Sequence, residues 1–113
     1  MEHRYYPRIQ ISLDVDLFRR GTHIGNAVTK DLSLGGMMLS FDKQTLNPND
    51  IVLLRVWIKG VLQTLRGFVI YTTHNQLGIM LIGMSRDATR AYFNLLRDME
   101  IPLRVALDKN EAT

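Results

Sequence analysis

The chain has no cysteine. Disulfides, thiolate nucleophiles and thiolate metal ligands are therefore excluded. No run approaches the ~18–20 apolar residues that a membrane-spanning helix needs. The amino-terminal stretch MEHRYYPRIQ lacks the apolar core of a secretory signal, so membrane insertion is not expected and the default address is cytoplasmic. Its three histidines, His3, His23 and His74, are scattered and show no metal-ligand spacing. Gly35-Gly36 lacks the remainder of a phosphate-loop motif. Asp14 and Asp16 fall on the wet face of an alternating segment, where solvation accounts for them. Nothing assembles a nucleophile with a base, and an enzyme is the least supported class.

One hundred and thirteen residues, 46% of them hydrophobic, suffice for one domain with one core. The net charge of +3 does not argue for a nucleic-acid duplex, although ten of the fourteen basic residues are arginines, the side chain suited to two-pronged contacts with phosphates and base edges. From Arg8 to Phe18 the residues alternate: Ile9, Ile11, Leu13, Val15 and Leu17 share one face, which predicts a strand. Arg19 to Thr22 reads as a hairpin turn. A second strand is expected from His23 to Leu32, interrupted at Gly25 and Asn26, and a third from Met37 to Phe41. Asn47-Pro48-Asn49-Asp50 is a dense turn signal. Strands then follow over Ile51–Lys59, Leu62–Thr73 with Gly67 as a possible bulge, and Leu77–Met84.

Six strands at close spacing, the later ones apolar on both faces, imply a closed or nearly closed barrel with something packed outside it. The cover is expected from one helix. Ser85 can cap it, and Ala88, Ala91, Tyr92, Leu95, Leu96 and Met99 recur at helical spacing up to Pro102. The fold class is thus mainly all-β, a six-stranded antiparallel barrel with a C-terminal helix. Three parts are expected: an arginine arm over 1–8, the barrel with its helix over 9–100, and a tail over 101–113. The methionines, including Met37, Met38, Met80 and Met84, read as core filler.

Two short constellations carry chemistry. In Arg4-Tyr5-Tyr6-Pro7-Arg8, Pro7 disfavours helical geometry at Tyr6, and in an extended chain Arg4 and Arg8 point the same way. Such a pair suits a polyanionic ligand or the acceptors of guanine, and equally two solvated arginines near a terminus. In Asp31-Leu32-Ser33-Leu34-Gly35-Gly36, Asp31 accepts hydrogen bonds, Ser33 donates or accepts, and Gly36 leaves room for a flat base near the backbone. The same residue types also make an ordinary turn.

Together, an R-x-x-x-R ahead of the first strand and a D-x-S-x-x-G between the second and third resemble the pattern of PilZ domains, the likeness resting on Arg4, Arg8, Asp31, Ser33 and Gly36. Val69-Ile70-Tyr71 and Leu77-Gly78-Ile79 resemble that family's fifth and sixth strands. The resemblance implies a PilZ-type barrel that binds cyclic di-GMP, with no cofactor. Arg4 and Arg8 would contact phosphates and guanine edges, Asp31 and Ser33 would hold a guanine, and Gly36, with Gly35 beside it, would keep the backbone accessible. Tyr71 would offer a stacking ring, worth about 1–3 kcal/mol per base. It equally suits an edge of the core. His3 stands where relatives carry an arginine or an apolar residue, which leaves one bound ligand or two open. Ligand binding would order the arm and signal to an effector protein in motility, attachment or exopolysaccharide control, the chain being a monomer or weak dimer. A nucleotide-independent interaction module is the alternative. A single-strand nucleic-acid face is another, with Arg55, Trp57 and Lys59 on one strand face, but Trp57 is expected to pack beneath the helix.

Overall fold

The computed structural model describes residues 8–42 and 45–111. Arg4 and His3, with the rest of residues 1–7, lie outside the described residues. The elements are β1 (Asp14–Arg19), β2 (Thr22–Leu32), β3 (Gly36–Ser40), β4 (Ile51–Ile58), β5 (Val61–Thr72), β6 (Gln76–Met84) and α1 (Arg86–Glu111). The six strands close into a barrel in the order β1-β2-β3-β6-β5-β4, every pair antiparallel. Closure leaves no sheet edge.

Period-two alternation builds the core. Along β4, Val52, Leu54, Val56 and Ile58 point inward and the residues between them outward. Val15, Leu17, Leu32, Leu39, Leu65, Val69 and Ile79 join them inside. Two hairpins close on paired residues at positive φ, Arg20-Gly21 (52° and 80°) and Lys59-Gly60 (50° and 80°). This is the type I′ form whose twist matches the flanking strands. Pro48-Asn49 makes the third tight turn, Asn49 lying at φ 79° and the Asp50 carboxylate accepting from the Asn47 N–H.

Several expectations need correction. The alternation from Arg8 is real, and Ile9 is buried against Leu32, but the regular strand starts only at Asp14. The buried Thr29 is the reason: its hydroxyl donates to the Ile11 carbonyl and accepts from the Leu13 N–H at 2.7 Å, so a side chain stands in for the backbone ladder. Gly25 and Asn26 do not interrupt β2; the strand runs through with a bulge that leaves Ile24 unpaired. Gly67 does mark a register shift between β5 and β6. Helix α1 does not stop at Pro102 but runs to Glu111, so the expected tail is helical there. Leu96, Met99, Leu103 and Leu107 sit three or four apart, a spacing that continues the helix, whereas proline removes only one backbone bond.

The helix also covers less than expected. Ser85 caps it, its Oγ accepting from the Ala88 N–H at 3.0 Å. Ala88, Tyr92, Leu95 and Leu96 are buried, the last three in the one core cluster, and Lys59 in the β4–β5 turn pairs with Asp98. Among the described residues, nothing covers most of the outer face of β4–β6. Trp57 is 51% exposed on the outside of β4 rather than beneath the helix, because inward positions alternate with its own. Met37 is core, but Met80 and Met99 are exposed.

Candidate functional site

The β2–β3 junction crosses from Leu32 to Gly36 in three residues. The Ser33 N–H donates to the Gly36 carbonyl at 2.8 Å, and the Gly35 carbonyl accepts from the Leu81 N–H on β6. Helix α1 adds a third tie. The buried Tyr92 hydroxyl donates to the Ser33 carbonyl at 2.6 Å, with the Gly36 carbonyl also within reach at 3.2 Å. Burial, the main cause, pushes the Tyr92 hydroxyl well above the usual phenol range. The phenol is held neutral, as a donor.

Gly36 is constrained more tightly than an exposed base contact would require. A Cβ there would lie 2.3 Å from the Ile79 carbonyl oxygen on the neighbouring strand. The sequence reading assigned that space to a ligand; the structure fills it with β6. Gly35 has nothing within 4 Å of a built Cβ and faces open space.

Five described residues of the expected set, Arg8, Ser33, Gly35, Gly36 and Tyr71, line one open hollow of about 140 Å³. Asp31 adjoins it through Arg8, whose guanidinium donates to the carboxylate at 2.8 Å, both side chains being partly exposed. The junction therefore gathers one cation, one carboxylate, one hydroxyl and one ring over exposed backbone. These groups can grip phosphate and the donor and acceptor edges of a flat heterocycle.

Tyr71 lies on the outer side of β5 and is partly exposed, which separates it from the core edge that the sequence also allowed. Its ring lies across Gly78. A Cβ on Gly78 would sit 2.1 Å from the ring's Cε1. Gly78 is thus the floor on which the tyrosine rests. Met38, Ile70 and Met80 complete the wall of the hollow. Sequence reasoning missed Tyr92, Gly78 and these apolar neighbours. A phenol in an otherwise apolar helix stripe was the available signal for Tyr92, since a buried tyrosine hydroxyl seeks a partner. Among the described residues no group of three histidine, cysteine or acidic side chains is placed to hold a metal, and no helix is long and apolar enough to cross a membrane.

The family model for the PilZ domain matches residues 2–98. No curated protein sequence matches the chain. Among solved structures, the chain is similar to the PilZ domain with c-di-GMP of YcgR from Escherichia coli, at 17% identity and a TM-score of 0.71 over 96% of this chain and 99% of that one. It is also similar to the PilZ domain of CeSA from a cellulose-synthesizing bacterium, at 21% identity and TM-score 0.70 over 83% and 98%. The Bacillus subtilis inhibitor of motility (MotI/DgrA) matches at 15% identity and TM-score 0.69, over 96% of this chain and 53% of that longer one. At these identities the likeness is one of fold.

Proposed function

Because the chain belongs to the PilZ domain family, we propose that it is a receptor for cyclic di-GMP and that Arg8, Asp31, Ser33 and Tyr71 hold the nucleotide at the β2–β3 junction. The observation that carries this reading is that Arg8, Ser33 and Tyr71, from three separate segments, line one hollow beside exposed backbone, with Asp31 paired to Arg8 at its edge. The hollow is too small to enclose a cyclic dinucleotide. It accepts a purine edge, and the rest of the ligand lies across the barrel surface.

Arg8 already faces Asp31 in this arrangement. On binding, the guanidinium turns toward phosphate and guanine acceptors while the Asp31 carboxylate accepts from guanine N–H donors. Ser33 adds a hydroxyl contact and the Tyr71 ring stacks a base. Arg4 joins Arg8 on the phosphates. The arm from residue 1 to residue 8 is then fixed against the barrel, which changes the surface that an effector protein meets. The YcgR neighbour is described with c-di-GMP, which agrees with this reading.

Calorimetric titration of cyclic di-GMP into the wild type and Arg8→Ala is the test. Saturable binding is expected, weakened by about 10- to 100-fold in the variant as charge-assisted hydrogen bonds are lost. The inflection gives one ligand or two. No binding by the folded wild type removes the proposal.

A further inference from the structure

The outer face of β4, β5 and β6 carries an apolar surface that no described element covers. The registers place Ile51, Phe68 and Met80 in one row across three strands, ending at Gly36 on β3. A second row runs Phe18, Leu53, Arg66, Gly83, and Ile82 sits in the bulge beside it. Ile51, Leu53, Met80 and Ile82 are each 41–48% exposed. Contiguous exposure on this scale marks an interaction surface rather than scattered surface residues.

The surface is concave and basic. Near the β1–β2 turn it dips into a groove of about 580 Å³ whose walls include Phe18, Arg20, Ile51, Leu53 and Arg66. Among the described residues Asp50 is the one carboxylate lining the groove, and Arg19 already pairs with it at 3.3 Å. Arg20 and Arg66 make no ion pair among the described residues. Arg66 is laid out along Gly83, a built Cβ on which would stand 3.7 Å from the arginine's own Cβ. The groove thus has an apolar floor and two arginines outside any ion pair, Arg66 away from Asp50 and Arg20 close enough for its charge to act on that carboxyl.

We propose that this groove docks an acidic amphipathic segment of a partner protein, its apolar side against Ile51, Leu53 and Phe18 and its carboxylates on Arg20 and Arg66. The chemistry of the floor and rim sets that choice. Concavity favours an inserted segment over a lipid surface, which rewards protruding side chains. The Ile51–Met80 row also joins this groove to the ligand hollow, of which Met80 is a wall. The proposal takes from the receptor reading only that the output passes to another protein.

The probe is a synthetic helical peptide with a leucine stripe and a glutamate face, compared by fluorescence anisotropy with its lysine-faced counterpart, both without nucleotide. The wild type should bind the acidic peptide about five- to tenfold tighter, and Arg66→Glu should abolish or reverse that preference. Leu53→Ser should weaken both peptides alike. Cyclic di-GMP titrations of the same variants should match the wild type, because neither residue lines the ligand hollow. Equal affinity for the two peptides, no binding of the acidic one, or an unchanged preference in Arg66→Glu overturns the proposal. Binding only to phosphatidylserine vesicles replaces it with a membrane surface. Failure of the wild type to bind cyclic di-GMP, with the peptide preference intact, sinks the receptor reading and leaves the groove standing.

Discussion

The β2–β3 junction and the β4–β5 turn do the same topological job, and α1 touches both. They are held in different ways. Lys59 and Gly60 reverse the chain through their own φ angles, and the only described tie to the helix is the surface pair Lys59–Asp98. The junction from Ser33 to Gly36 has no positive-φ residue to shape it. One hydrogen bond spans it, from the Ser33 N–H to the Gly36 carbonyl, and the rest of its hold comes from outside: the Tyr92 hydroxyl on its carbonyls and close contact of Gly36 with the β6 backbone. A turn that stabilises itself can sit anywhere on a barrel. A junction fixed by two other elements, α1 and β6, keeps Asp31, Ser33 and the exposed backbone in one place, which is what a binding surface requires.

The sharpest way to break that comparison is at Gly36. Gly36→Ala puts a methyl group 2.3 Å from the Ile79 carbonyl oxygen, and backbone cannot step aside as a flexible side chain can. The strands must separate, at a cost of about 2–3 kcal/mol. Chemical denaturation should show that loss, and cyclic di-GMP titration a parallel loss of affinity. Gly35→Ala, one residue earlier and facing open space, should change stability by less than about 0.5 kcal/mol. Equal effects at the two positions would mean that β6 does not fix the junction.

Tyr92→Phe removes the tie from the helix while keeping the ring. It leaves the Ser33 carbonyl without this donor, at a cost of about 1–2 kcal/mol near neutral pH. The pH dependence gives a second signature. The folded phenol titrates far above its unfolded value of ~10, so its stabilisation is complete below that pH and fades as pH rises toward the folded value. Denaturation midpoints of the wild type and Tyr92→Phe should differ at pH 7 and converge above pH ~10. Equal midpoints at pH 7 would show that the hydroxyl contributes nothing to the junction, and a gap that stays constant above pH ~10 would show that its ionisation is not linked to folding.

How much of this could be read from residue order follows from the same contrast. Local signals were legible: the alternation of Ile9 to Leu17, the Asn47–Asp50 turn, Ser85 as a cap, and a β2–β3 junction at which Arg8, Asp31, Ser33 and Gly36 stand near one another. Facts that depend on distant partners were not. Nothing in the neighbourhood of Thr29 says that its hydroxyl replaces a ladder bond to a segment sixteen residues away. Nothing around Gly36 says that its missing side chain is filled by β6 rather than by a ligand. Trp57 was assigned to the helix because apolar bulk suggests burial, while its register position on β4 faces outward. Alternation fixes which residues share a face; closure of the barrel decides which face is inside.

The β4–β5 turn supplies the smallest expected effect. The Asp98 carboxyl is held below the usual carboxylate range, first by its hydrogen bond from Lys59 and further by the charges of Lys59 and Arg97. A depressed folded value means stability that is present above the unfolded value of ~3.9 and lost as pH falls through the folded one. Lys59→Ala should therefore lower the denaturation midpoint slightly at pH 7, with the two proteins converging in acid. Salt should shrink the gap, because both side chains stand about half in water. The cyclic di-GMP isotherm should not move. If Lys59→Ala weakened ligand binding as much as Tyr92→Phe, the helix would be acting on the site as one rigid body. The junction could then no longer be said to be fixed by Tyr92 in particular.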